Sequence, residues 1–320
     1  MAPWTASADC SLRLSFETDE GKRVAVSTPT PRQAFLHKTG VLLEMIKVQH
    51  TIFALPFALA SMLIAARDLP SIRLILWILA CCVFARTAAM SFNRWADADI
   101  DSRNPRTINR AIPAGLLERK FVLMFAIASS LLFVAGAAAI NWLAFALSPV
   151  ALVVLLGYSY AKRFTSLSHF ILGFALGIAP IGAWVAVRAE IGIPSLLLGL
   201  GVLAWTAGFD IIYSCQDAKV DQKEGLFSIP SRYGTAKALL LSRLLHMVAI
   251  LSFVGAGFYA SLGAAYYIGV GGAALLLVAE QWVVNPSDPS RIEMAFFTIN
   301  SWVGVVFFLF TAADILVFAK

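Results

Sequence analysis

From Phe121 to Ala161 the chain carries no Asp, Glu, Lys, Arg or His. A helix that crosses a bilayer needs about 20 mostly apolar residues. The stretch therefore holds two crossings, with Asn141-Trp142 as the break between them. Met247 to Ala279 is equally free of charge, and Ala260–Gly263 can turn it. Membrane strands would need short alternating segments; long Ala, Leu, Val and Phe runs specify helices instead. The rest of the chain agrees. Of its 320 residues 59% are hydrophobic and 14% charged, with a mean hydropathy of +0.78, where a soluble domain carries about 25% charged residues. A water-soluble enzyme and a disordered protein are excluded. So is a nucleic-acid partner, because the net charge of +6 is what basic cytoplasmic loops give a membrane protein. The four cysteines, Cys10, Cys81, Cys82 and Cys215, show neither ligand spacing nor a disulfide framework.

The hydropathy pattern predicts an all-α membrane protein with nine transmembrane helices, near 41–66, 72–96, 120–140, 143–161, 167–187, 195–217, 236–260, 264–284 and 294–318. Paired small residues inside them (Gly173 with Gly177, Gly255 with Gly257, Gly269 with Gly271) are expected at helix contacts. Loops after the even-numbered helices hold Arg103, Arg106, Arg110, Arg119, Lys120, Lys162, Arg163, Lys219, Lys223, Arg232, Lys237 and Arg291; loops after the odd ones hold Arg67, Arg73 and Arg188. The positive-inside rule puts the first set, and the N-terminus, in the cytoplasm. Residues 1–38 are polar, mixed in charge and lack a signal-peptide core. They read as a cytoplasmic tail ahead of a membrane domain at 39–320.

Acidic residues collect at two places. Asn93, Asp97 and Asp101 lie four apart, on one helix face. Asp210, Asp217 and Asp221 lie seven and four apart, with Tyr213 between, and are expected to share a face as well. Like charges so spaced repel, and a carboxylate in the membrane is costly. The clusters therefore need cations. Either nearby Arg94, Lys219 and Lys223 neutralise exposed helix ends, or the two faces hold Mg²⁺ ions that clamp a diphosphate, since Mg²⁺ takes one or two carboxylates together with phosphates and water. That both clusters end in Asp-x-x-x-Asp favours the clamp. A repeat supports it: Arg110-Ala111-Ile112-Pro113-Ala114-Gly115 follows the first cluster and Ser228-Ile229-Pro230-Ser231-Arg232-Tyr233-Gly234 the second. Two four-helix repeats plus a ninth helix, around a central cavity, is the simplest organisation.

The pair Asn93-x-x-x-Asp97-x-x-x-Asp101 and Asp210-x-x-Tyr213-x-x-x-Asp217-x-x-x-Asp221 closely resembles the signature motifs of the UbiA-type intramembrane aromatic prenyltransferases. Tyr158-Ser159-Tyr160-Ala161-Lys162-Arg163-Phe164-Thr165 is similar to that family's loop after the fourth helix. The resemblance implies transfer of a polyprenyl group from its diphosphate to an aromatic ring. Asp97, Asp101, Asp217 and Asp221 would bind Mg²⁺–diphosphate, with Asn93 assisting. Arg110, Lys162 and Arg163 are candidates for the diphosphate oxygens, although topology alone also accounts for Lys162 and Arg163. In the first helix Lys47 stands where many relatives carry an arginine. It either meets an acceptor carboxylate as a point charge or snorkels to the interface. His50 is either a packed polar residue or part of the site.

The variant Lys47-x-x-His50-Thr51-x-Phe53-x-Leu55-Pro56-Phe57 resembles a bacterial quinone-pathway subgroup. That implies a protein of the bacterial inner membrane acting on 4-hydroxybenzoate in ubiquinone synthesis, or on 1,4-dihydroxy-6-naphthoate in an alternative menaquinone pathway. Haem, chlorophyll or tocopherol-type prenylation and terpene cyclisation compete within the superfamily. An ion-coupled transporter competes from outside it, but its charges would lie near the bilayer midplane rather than beside basic loops.

Overall fold

The structure, a computed structural model, describes residues 40–42, 44, 45, 53–285 and 288–318. Lys47, His50 and the expected tail lie outside these residues. The spans belong to one compact unit, Val41–Lys320. All regular structure among the described residues is helical: α1 (Leu55–Ala66), α2 (Ile72–Asp101), α3 (Arg119–Ile140), α4 (Trp142–Ala161), α5 (Ser168–Arg188), α6 (Ile193–Ser214), the short α7 (Ala218–Lys223) and α8 (Ile229–Tyr233), α9 (Thr235–Tyr259), α10 (Ala264–Val283), α11 (Pro289–Met294) and α12 (Asn300–Ala313). A π-turn, Ala295–Ile299, joins α11 to α12, and a second, Asp314–Phe318, follows.

Eight of these are long and apolar enough to cross a membrane: α2 to α6, α9, α10 and the run Arg291–Phe318. Within the expected first span, helix is described at residues 41, 42, 44 and 45 and over the 12 residues of α1, which carries a proline, Pro56, in its first turn. Proline suits that position because its fixed φ is helical and its missing N–H has no partner there anyway. α2 departs from expectation in the other direction. Its 30 residues span about 45 Å at 1.5 Å per residue, longer than a bilayer core of about 30 Å. The helix continues past 96 to Asp101 and is long enough to carry the first acidic motif beyond an apolar layer of that thickness. The break at Asn141 is where the charge-free run turns. Its side chain caps α4 by accepting from Ala144 N at 2.8 Å and donates to Val185 O of α5 at 2.8 Å.

Consecutive long helices pack side by side from α2 round to α12, and α1 sits between α5 and α12. Lipid tails are as apolar as leucine, so close packing and interhelical hydrogen bonds hold such helices together rather than the hydrophobic effect. α5 and α6 approach most closely through glycine: a Cβ at Gly177 would lie 2.6 Å from Gly199 O, and one at Gly173 would strike Leu203 O. Gly271, by contrast, faces open space. Behind this contact Phe57, Phe253, Phe307 and Trp205 form an aromatic core with centroids 4.8–5.4 Å apart. Asn300 pairs polar groups across helices beside it. Asn300 donates to Glu280 Oε1 (2.7 Å) and to Ala295 O (3.1 Å), and accepts from Trp205 Nε1 (2.7 Å). Asn300 thus ties α6 and α10 to the π-turn.

Candidate active site

Three loops meet at one end of the bundle: 102–118 after α2, 162–167 after α4, and 215–228 around α7. Hydrogen bonds interlock them. Phe227 N donates to Lys162 O at 2.7 Å, Arg163 donates to Ala96 O at 2.7 Å, and Arg103 pairs with Glu224 at 2.8 Å. Of the two repeated loop elements the first forms turns and the second the short α8, and each closes on a glycine of positive φ, 71° at Gly115 and 81° at Gly234.

Asn93, Asp97 and Asp101 share one face of α2, as their spacing requires. Asn93 donates to Asp97 Oδ2 at 2.9 Å, and Arg163 approaches the other Asp97 oxygen at 3.2 Å. Asp101 is buried and receives Arg110 on both oxygens, at 2.7 and 2.8 Å. The second cluster is built differently from the expectation. α6 stops at Ser214, and Asp217 and Asp221 belong to the turn and the short α7 beyond it. The three aspartates therefore do not share a face of one helix. The break turns Asp217 and Asp221 toward the loops and leaves Asp210 inside the bundle.

Asp217 is buried and pairs with Arg106, whose Nε donates to Oδ1 at 2.9 Å and Nη2 to Oδ2 at 2.6 Å. The same guanidinium donates to the Tyr213 hydroxyl at 2.9 Å and lies 5.3 Å from that ring's centre. Burial opposes its charge, but the bonds from Asp217 outweigh it and hold the guanidinium above its ordinary pKa. Lys162 follows the same logic: burial lowers it, while Asp221, Asp210 and Asp217 around it raise it further, to above the usual lysine value. Asp221 is pushed up by burial more than Lys162 pulls it down, and its Oδ2 is buried with no hydrogen-bond partner among the described residues. No ion pair reaches Lys219 or Lys223 among the described residues; Arg106, Arg110 and Arg163 neutralise the aspartates.

Below the loops lies an elongated cavity of about 570 Å³. Its wall is apolar, from Ile78 to Met90 on α2, from Ala144 to Tyr158 on α4, and along α5. Its wall also carries Arg86, Tyr158, Thr206 and Asp210, with Ser148 nearer the start of α4. His169, fully buried, holds Asp210 by a 2.6 Å bond from Nδ1 to Oδ2. The structure places the sequence candidates Asn93, Asp97, Asp101, Tyr158, Lys162, Arg163, Arg110, Asp210, Tyr213, Asp217 and Asp221 at this end of the bundle, together with Arg86, Arg106 and His169, which the sequence reading did not single out. Arg86 had a signal, since a charge inside a membrane helix is functional by default. Arg106 and His169 had none beyond their place in a basic loop and an apolar run.

The acidic cluster offers only carboxylate and amide oxygens, the hard donors that suit Mg²⁺, and the partnerless Asp221 oxygen is a place for a cation. No group of three or more acidic, His or Cys side chains is close enough to cage a metal among the described residues.

Comparison with known proteins gives a consistent result. Residues 54–302 match the model of the UbiA prenyltransferase family. The chain is 30% identical over 259 residues to a 4-hydroxybenzoate octaprenyltransferase of Pseudomonas aeruginosa, covering 79% of this chain and 85% of that one. It is 29% identical over 260 residues to the enzyme of the same name from Aliivibrio fischeri, covering 80% and 88%. Among solved structures it is similar to the apo form of a UbiA homologue from Aeropyrum pernix, with a TM-score of 0.77, 32% identity, and coverage of 84% and 99%. A UbiA homologue from Archaeoglobus fulgidus bound to GPP and Mg²⁺ shares the fold, with a TM-score of 0.63, 18% identity, and coverage of 85% and 99%.

Proposed function

Because this chain belongs to the UbiA prenyltransferase family and is an integral membrane prenyltransferase of aromatic substrates, we propose that it moves a polyprenyl group from its diphosphate onto 4-hydroxybenzoate, in ubiquinone synthesis, with Mg²⁺. The observation that carries this reading is the stacking of two chemistries along one axis. Four aspartates with their arginines crown the loop end, and directly beneath them a long apolar cavity opens with Arg86, Tyr158 and Asp210 on its wall. An amphiphilic donor fits that order, its diphosphate among the loops and its tail along α2 and α4.

Asp97, Asp101, Asp217 and Asp221 would hold the cation, with Asn93 orienting Asp97. When bound, Mg²⁺ neutralises the diphosphate and makes it a better leaving group. Lys162, Arg163, Arg106 and Arg110 then present preorganised positive charge where negative charge develops as the allylic carbon–oxygen bond breaks. The interlocked loops keep water from the allylic cation. Arg86 meets the acceptor's carboxylate in the cavity, with a planar fork matched to it, and Tyr158 stands beside it. The relatives named for 4-hydroxybenzoate favour that acceptor over dihydroxynaphthoate, and family membership sets the transporter reading aside. The loops and any N-terminal tail face the cytoplasm of a bacterial inner membrane, as the basic residues there require; residues 39–320 are the catalytic domain.

The test uses purified protein in nanodiscs with geranyl diphosphate, 4-hydroxybenzoate or 1,4-dihydroxy-6-naphthoate, and Mg²⁺ or EDTA, read by mass spectrometry. A C-prenylated 4-hydroxybenzoate that requires Mg²⁺ is expected. Product from the naphthoate alone would replace the acceptor, and diphosphate release without an acceptor would point to a cyclase.

A further inference from the structure

Prenylation of a ring carbon leaves a proton to be removed, and none of the groups assigned above removes it. The loop-end aspartates are engaged by arginines or would face the proposed cation. Among the described residues, Asp210 is the one carboxylate on the cavity wall. It sits one helical turn beyond Thr206, which also lines the cavity and whose hydroxyl is buried without a partner.

The surroundings of Asp210 fix how it is used. His169 is fully buried and binds Asp210 Oδ2 through Nδ1 at 2.6 Å. Its other nitrogen, Nε2, accepts the backbone N–H of Ile229 at 3.3 Å. A ring protonated on both nitrogens has no lone pair to accept at Nε2. The proton therefore sits on Nδ1 and is donated to Asp210, the logic by which one hydrogen bond sets the tautomer of the other nitrogen. His169 is in turn anchored by the first residue of α8, so the dyad is seated on a rigid element. One carboxylate oxygen is locked by the imidazole, and Oδ1 is left for the cavity.

We propose that Asp210, positioned by His169, accepts the proton that the aromatic ring loses after it is prenylated. This inference rests on the prenyl-transfer reading above. In the step, the allylic C–O bond breaks with its electron pair going to the diphosphate. A ring π pair forms the new C–C bond. The C–H bond at that carbon then breaks, its electrons restore the aromatic ring, and the proton passes to Asp210 Oδ1, which returns it to solvent once product has left. A prenylated arenium ion is a strong acid, so a carboxylate suffices as base. What matters is position, because a base already held on an apolar cavity wall takes the proton without recruiting water from solvent. His169 does not touch the ring and acts only through Asp210.

The test is steady-state kinetics with 4-hydroxybenzoate and its ring-deuterated form. In the wild type, proton loss is fast and deuterium is expected to leave the rate unchanged. Asp210→Asn keeps the shape and the bond from His169 but cannot take the proton. It is expected to lower kcat by about 10²–10⁴, the usual worth of a general base, leave the KM for geranyl diphosphate near its wild-type value, and introduce a primary isotope effect. His169→Asn, whose amide N–H can replace Nδ1–H, should retain more activity than His169→Leu; the histidine variants keep Asp210 and carry the test if Asp210→Asn does not fold. Turnover by Asp210→Asn at the wild-type rate would overturn the proposal. So would a loss expressed only as a higher acceptor KM with no isotope effect, which would make Asp210 a binding residue. If wild-type protein makes no prenylated acceptor at all, the prenyl-transfer reading fails and this inference with it.

Discussion

Arg106 and Asp217 meet through two parallel hydrogen bonds, 2.9 and 2.6 Å long, across 111 residues of chain. The pair joins the loop after α2 to the turn after α6, and so draws the two acidic motifs to one end of the bundle. A forked guanidinium makes this contact and a lysine cannot reproduce it. Arg106→Ala is expected to raise the KM for prenyl diphosphate and to lower kcat/KM at least about tenfold, or about 1.4 kcal/mol of transition-state stabilisation. Arg106→Lys should recover only part of the loss. Steady-state kinetics in nanodiscs with geranyl diphosphate checks both.

Asp97 and Asp217 come from different motifs but crown the same cavity. Asp97→Ala and Asp217→Ala should each abolish turnover while the protein still inserts and purifies as a folded membrane protein. Normal Mg²⁺-dependent activity in both would remove the diphosphate clamp.

The carboxyl of Asp221 titrates above its ordinary value of 3.8 because burial penalises its charge. A folded-state pKa raised in this way stabilises the cation-free protein fully below 3.8, and that contribution is lost as pH rises through the raised value. Mg²⁺ competes with the same proton. The Mg²⁺ concentration needed for half-maximal activity should therefore increase as pH falls from neutrality toward the acid range, and Asp221→Asn should flatten that dependence. Mg²⁺ titrations at several pH values measure it.

Asn300 satisfies Trp205 Nε1, Glu280 Oε1 and the Ala295 carbonyl together. Asn300→Leu strands Trp205 Nε1 and Glu280 Oε1 inside the bundle, while the Ala295 carbonyl keeps the backbone N–H of residue 300. Each unsatisfied buried group costs about 1–3 kcal/mol, less where a membrane-embedded partner can be found elsewhere. A clear drop in thermal stability in detergent is expected, without loss of the acidic site itself.

Ala144 lines the end of the cavity remote from Asp210, at the start of α4. From Ala144 to Tyr158 the helix rises about 21 Å at 1.5 Å per residue. Ala144→Phe should slow transfer from long polyprenyl diphosphates and leave geranyl transfer nearly intact. Competition between geranyl and longer donors, read by mass spectrometry, decides it.

The helical membrane architecture was legible in the chain because apolar length is a local property: a run such as Phe121–Ala161 admits no other solution in a bilayer. The face shared by Asn93, Asp97 and Asp101 was legible for the same reason, being fixed by helical period alone. Asp210, Asp217 and Asp221 show where such reasoning ends. Nothing in their spacing announces that α6 stops at Ser214, because that end is set by contacts from distant loops. Arg106 and His169 were hidden likewise, their partners lying 111 and 41 residues away.

By itself, then, the sequence determined which segments enter the bilayer, which loops carry positive charge, and which carboxylates are grouped by helical period. Only the tertiary structure decided which arginine neutralises which aspartate, that Asp210 turns into the cavity with His169 behind it, and that Arg86 lines the same cavity. The division is physical. Burial in lipid and helical period act on neighbours along the chain, whereas hydrogen bonds and ion pairs form between whatever groups the packed helices bring within about 3 Å.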